Sequence, residues 1–199
     1  MLLSKEHCAT VVVLSILCIE CNSTSGVGPC PKMSYMKNFN LSKFTGHWYE
    51  IERSFYLMEL IQSCVNMDLM EDVKGRLEVS INTKSTWSGG FSISEGIATP
   101  SKKDPSLLLY KVSSKLPRVI NKYLPGAGFY QVLSTDYNRY AILYSCTNFQ
   151  LVHIDLIWIW GRTREIGAEL RSKIYDLLTQ YHLDSERLIL PKNHNCTDD

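Results

Sequence analysis

Residues 150–161 read Gln-Leu-Val-His-Ile-Asp-Leu-Ile-Trp-Ile-Trp-Gly. Val152, Ile154, Leu156, Trp158 and Trp160 share one parity, and His153 and Asp155 share the other. Successive side chains of a strand point to opposite faces, so this stretch predicts a β-strand with one wholly apolar side. Directly after it the period changes. Ile166, Leu170, Ile174, Leu177, Leu178 and Tyr181 recur at spacings of three and four, the stripe of an amphipathic helix. Arg164, Glu165, Glu169, Arg171 and Lys173 supply its polar face. Such a helix needs an apolar surface, and Ile157 and Ile159, on the outward side of the strand, are expected to provide it. The short apolar segment from Arg187 to Leu190 then predicts an edge strand.

Upstream, the chain reads as strands and turns. Lys74-Gly75, Gly89-Gly90, Asp104-Pro105, Pro125-Gly126 and Asp136-Tyr137-Asn138 punctuate it. The strands fall at 47–57, 64–72, 76–85, 91–99, 106–114, 128–134, 138–146 and 150–161. With no helices between them, a parallel α/β sheet is excluded and an all-β antiparallel fold is predicted. In 64–70, Val65, Met67 and Leu69 alternate with Asn66 and Asp68. A sandwich core and a closed barrel would both produce this alternation, so both stay open on the pattern alone.

The 199 residues suit one domain, and 45% hydrophobic with 21% charged residues excludes a disordered chain. A net charge of +1 argues against a nucleic-acid partner. The apolar run from Ala9 to Ile19 follows Lys5 and precedes the small residues Ser23, Thr24, Ser25 and Gly26. It is too short to span a bilayer and reads as a cleaved signal peptide over 1–24, leaving a single domain over 25–199 and a secreted, extracellular protein. An uncleaved anchor or a buried helix are the competing readings. Cys8, Cys18 and Cys21 would leave with the leader. Cys30, Cys64, Cys146 and Cys196 then imply two disulfides, for which three connectivities exist. Sequons occur at Asn22, Asn40 and Asn195. Asn40 and Asn195 are the candidate glycosylation sites of the mature chain, although bridge formation at Cys196 would compete at the second.

Three motifs stand in order along the chain. Asn38-Phe39-Asn40-Leu41-Ser42-Lys43-Phe44-Thr45-Gly46-His47-Trp48-Tyr49-Glu50-Ile51 opens the first strand with Gly-x-Trp. Ser134-Thr135-Asp136-Tyr137 precedes Tyr140-Ala141-Ile142-Leu143-Tyr144-Ser145-Cys146, and Trp160-Gly161-Arg162 closes the eighth strand. With Gly96-Ile97-Ala98-Thr99-Pro100 and His153-Ile154-Asp155, this set resembles the lipocalin family, most closely its bilin-binding members. The resemblance implies an eight-stranded antiparallel up-and-down β-barrel with one C-terminal α-helix. It assigns structural roles to Gly46, Trp48, Thr135, Asp136, Tyr137 and Arg162, with Trp48 plugging the closed end and Arg162 over its indole. A guanidinium on a Trp face gains about 0.5–2 kcal/mol. The resemblance also implies the pairs Cys30–Cys146 and Cys64–Cys196. One departure from the family is the long connection from Ser113 to Gly128. With the first connection, Phe55 to Ile61, it would place two apolar segments at the open rim, as a lid, as a patch for lipoprotein or membrane surfaces, or packed on each other.

A barrel of this kind holds either side chains or one small ligand. The residues expected to face a ligand are Val65, Met67, Leu69, Ile93, Tyr110, Val112, Leu156 and Trp158, with Phe55, Phe91 and Tyr130 nearer the rim. For each, ordinary core filling is the competing role. No nucleophile, base and orienting acid are grouped, and neither a zinc spacing nor a phosphate-cradling loop occurs. The expected function is therefore a secreted, non-enzymatic carrier of a small hydrophobic ligand of bilin, carotenoid, sterol, fatty-acid or retinoid type. No cofactor is obligatory and no metal site is expected; a bound apolar ligand or pigment is. The alternative is an extracellular interaction or protective module whose rim loops contact lipid surfaces or a protein partner.

Overall fold

A computed structural model describes residues 25–55, 62–115, 126–191 and 196. The leader (1–24), Asn195 and most of the two apolar rim connections lie outside the described residues, so the calls made on them do too. Strands β1 (Ser25–Val27), β2 (Gly46–Ser54), β3 (Gln62–Glu71), β4 (Leu77–Ser85), β5 (Phe91–Pro100), β6 (Leu107–Val112), β7 (Gly128–Thr135), β8 (Tyr140–Phe149), β9 (Val152–Gly161) and β10 (Leu188–Ile189) form one sheet. Consecutive strands from β2 to β9 pair antiparallel, and β9 pairs back onto β2, closing an eight-stranded barrel. Two short strands lie at the ends of the sheet: β10 falls within the edge strand expected from Arg187 to Leu190, and β1 is additional. β1 pairs with the start of β9, and β10 pairs with the end of β2.

Helix α1 (Leu41–Phe44) is one turn long and begins at Asn40, whose side chain accepts a hydrogen bond from the Lys43 amide at 3.0 Å. It carries Phe44, fully buried, under the barrel. Helix α2 (Ala168–Gln180) docks outside. Alternation splits the apolar residues between two cores. Trp48, Met67, Leu69, Leu77, Val132, Leu143 and Trp158 fill the barrel interior. Ile51, Leu133, Ile142, Ile157 and Ile159 on the outer face meet Ile174 and Leu178 of α2. The contact is reinforced by Tyr175, which donates to Glu52 at 2.7 Å, and by Arg171, 2.7 Å from the same carboxylate.

Two disulfides, Cys30–Cys146 and Cys64–Cys196, tie the segment before α1 to β8 and the segment after β10 to β3. The β2–β9 ladder ends at Arg53 and Trp158. One residue further, the Ser54 hydroxyl takes the place of a backbone partner and accepts from the Ile157 amide at 3.0 Å.

Candidate ligand-binding site

One end of the barrel is sealed by residues that leave no room for a ligand. Trp48 is fully buried, donates its indole N–H to the Phe44 carbonyl at 2.9 Å and packs against the Phe44 ring. Arg162 lies 3.7 Å over the Trp48 ring. Its guanidinium donates to the carbonyls of His47 and Thr45, both at 2.8 Å, and of Tyr137 at 2.9 Å. Gly46, at φ +94°, lies under this guanidinium: a Cβ there would stand 3.2 Å from Arg162 Nη1. The turn between β7 and β8 completes the seal. Thr135 donates to the Tyr140 carbonyl, and Asp136 accepts from the amides of Asn138, Arg139 and Tyr140 and from the Arg139 guanidinium. Burial pushes the Asp136 carboxyl up, but these donors hold it, on balance, below the usual carboxylate range.

Above the seal lies a cavity of about 230 Å³. Its wall runs from Phe44 and Leu77 at the closed end to Gln62, Val112 and Gly126 at the other. Of the residues expected to face a ligand, Val65, Met67, Leu69, Tyr110, Val112, Tyr130 and Trp158 line it together. Tyr130 bridges the aromatic wall, with its ring 5.4 Å from Trp158 and 6.2 Å from Tyr110. The Tyr110 ring lies over Gly96, where a Cβ would come within 2.4 Å of it, so only glycine fits on the neighbouring strand. Burial pushes the Tyr110 hydroxyl well up, with Ser94 pulling slightly the other way. Its oxygen is buried without a well-formed hydrogen bond.

Four expectations are corrected. Phe91 and Ile93 are about two-thirds exposed on the outward side of β5, and the inward positions of that strand are Ser92, Ser94 and Ala98. The apolar parity of β5 is therefore its outer one, and Ser92 on the cavity wall bonds Thr83 at 2.8 Å. Phe55 follows the end of β2 and is half exposed, outside the cavity wall. Leu156 faces inward but packs on the interior core without lining the cavity.

The interior also holds an ion pair that alternation hides. Glu50 lines the cavity and pairs with Arg53, both side chains almost fully buried. Residues three apart on a regular strand point to opposite faces. A register shift between Glu50 and Glu52 places an extra residue in β2, so Ile51 and Glu52 both face α2 while Glu50 and Arg53 share the interior. On the outer face, His153 bonds the Gly28 carbonyl at 3.0 Å and Asp155 pairs with Arg187 at 2.6 Å. Among the described residues no three His, Cys, Asp or Glu side chains are grouped as metal ligands would be.

A closed up-and-down barrel with one plugged end and one apolar cavity defines a binding protein for small apolar molecules. Residues 112–195 match the Lipocalin / cytosolic fatty-acid binding protein family. The chain is 38% identical to apolipoprotein D of Cavia porcellus over 176 residues, covering 86% of each chain. It is 23% identical over 186 residues to the bilin-binding protein of Pieris brassicae, covering 90% of this chain and 92% of that one. A solved structure shares the fold: apocrustacyanin C2 superposes with a TM-score of 0.72 at 19% identity, over 86% of this chain and 92% of that one. The chain belongs to the lipocalin family, and it is a binding protein rather than an enzyme.

Proposed function

We propose that this lipocalin is a secreted carrier that takes one small hydrophobic ligand into the barrel for transport or sequestration. The observation that carries the reading is the cavity of about 230 Å³ walled by Val65, Met67, Leu69, Tyr110, Tyr130 and Trp158. Burying ~300 Å² of an apolar ligand at about 25 cal/mol per Å² yields roughly 7 kcal/mol, of which association takes back at least ~4. The aromatic wall and the few polar groups within it supply the rest and the selectivity. The bilin-binding relative makes a linear tetrapyrrole one candidate; sterols, retinoids, carotenoids and fatty acids fit the same chemistry. Two disulfides suit an oxidising compartment, which supports secretion and removal of 1–24. The Asn40 side chain is exposed, as a glycan site there requires.

Titration with retinol and with biliverdin, followed by Trp fluorescence, tests the reading. Saturable quenching that Trp158→Phe diminishes and Trp158→Ala weakens in affinity is expected. No saturable binding by any apolar probe, together with no apolar molecule extracted from protein of its natural source, would remove the carrier reading. A second reading, contact with lipid surfaces, is favoured by Trp87, Phe91 and Ile93, which stand exposed at the end of the barrel opposite Trp48. Flotation with phosphatidylcholine vesicles that Trp87→Ser abolishes would support it.

A further inference from the structure

The apolar parity of β9 continues past the cavity. Trp160, Trp158 and Leu156 pack in the barrel interior. Ile154 and Val152 hold the same parity but are 39% and 42% exposed, and Phe149 and Leu151 beside them are 53% and 80% exposed. The β8–β9 ladder runs unbroken to the pair Phe149–Val152. Among the described residues its barrel neighbours stop earlier: β7 pairs with β8 no further than Tyr144, and β2 pairs with β9 no further than Trp158. The end of this hairpin therefore projects from the barrel wall.

The projection is held rigid from the other side. β1 pairs with Val152–Ile154. The Gly28 amide donates to the Leu151 carbonyl at 2.8 Å, and His153 bonds the Gly28 carbonyl. Asn148 accepts from the Cys30 amide at 2.7 Å, beside the Cys30–Cys146 disulfide. All these ties use outward residues or the strand edge, and none of them, among the described residues, lies over the apolar face.

We propose that this face is the outer half of the ligand site, and that the ligand is an elongated apolar molecule running from Trp158 past Leu156 onto Ile154, Val152 and Phe149. The inference rests on the carrier reading and specifies the shape of its ligand. Three observations carry it. The stripe is continuous on one strand, and its six-residue span from Trp158 to Val152 is about 20 Å at ~3.4 Å per residue. The cavity, about 230 Å³ and open at the end away from Trp48, falls below the several hundred Å³ usual for sites that enclose a whole ligand. The hairpin is already ordered, so a ligand laid on it does not bear the loss of loop freedom that lowers affinity elsewhere.

A chain-length series tests this: octanol, dodecanol, hexadecanol and eicosanol, titrated by quenching of Trp158. A methylene that leaves water completely raises affinity about fourfold, and one laid on a half-open face about twofold. Affinity is expected to keep rising through hexadecanol in the wild-type protein. In the triple variant Phe149→Thr/Val152→Thr/Ile154→Thr the loss is expected to grow with length, under twofold for octanol and tenfold or more for hexadecanol. The wild-type series reads the inference even if the variant folds poorly. A plateau at dodecanol in the wild type, or equal losses for octanol and hexadecanol in a variant of unchanged melting temperature, overturns it. So does an unchanged length profile in a variant that has lost vesicle flotation or dimerisation, which would give the face to a lipid surface or a second copy. Failure of every alcohol including octanol would instead count against the carrier reading itself.

Discussion

Arg162 satisfies the carbonyls of Thr45, His47 and Tyr137 with one planar group and covers the Trp48 indole. Arg162→Met leaves those oxygens without donors and should lower stability by about 3 kcal/mol in urea unfolding. Arg162→Lys should recover only part, because an ammonium cannot reach three directions at once; equal stability of all three proteins would contradict this role. Glu50 and Arg53 invite a double comparison. Glu50→Leu strips a buried guanidinium of its carboxylate and should cost about 3 kcal/mol, whereas Glu50→Leu/Arg53→Met should restore most of it. Asp136 gives a pH signature. Its carboxyl is held low in the folded chain by Arg139 and three amides, so its contribution is present at neutral pH. That contribution is lost as pH falls below about 4 and through the depressed folded value. The melting temperatures of wild type and Asp136→Asn should therefore differ at pH 7 and converge on acidification.

The hairpin β8–β9 and the arm that braces it form the element in which local order can be tested. Cys30→Ser/Cys146→Ser should destabilise the protein by about 2–4 kcal/mol on the chain-entropy account. It should also raise amide exchange over Thr147–Ile154 more than over Tyr140–Tyr144, which β7 continues to hold. This element was readable in advance because the inward parity of β9 is apolar throughout, and its outward Ile157 and Ile159 predicted where α2 docks. β5 was not readable in the same way. Phe91 and Ile93 present an apolar parity to solvent while Ser92 and Ser94 face inward, and a rule that equates apolar with interior inverts the strand. The bulge in β2 left no mark either, since Glu50 and Arg53 look like opposite faces until one residue is inserted between them. β1 and α1 are too short to show a period at all.

At the scale of the whole molecule, the barrel divides its labour along its axis. One end is closed by Phe44, Trp48 and Arg162, and the cavity opens toward the other. A ligand that enters only the folded barrel must stabilise it. At a free concentration a hundredfold above Kd the gain is about 2.7 kcal/mol. Calorimetry should show the melting transition rising with the concentration of a bound apolar probe and remaining fixed with a polar analogue of equal size. A rise of the same size in Trp158→Ala would place the probe outside the cavity.

The two disulfides overlap along the chain: one joins positions 30 and 146, the other 64 and 196. Every peptide bond between Cys30 and Cys196 is thus spanned by at least one of them. A protease that severs the backbone once, in any loop of the barrel, leaves both fragments in one covalent body. Such a cut would be silent on a gel run without reductant and would appear as two fragments with it. In a protease-rich setting, the barrel keeps its parts together after the first strike.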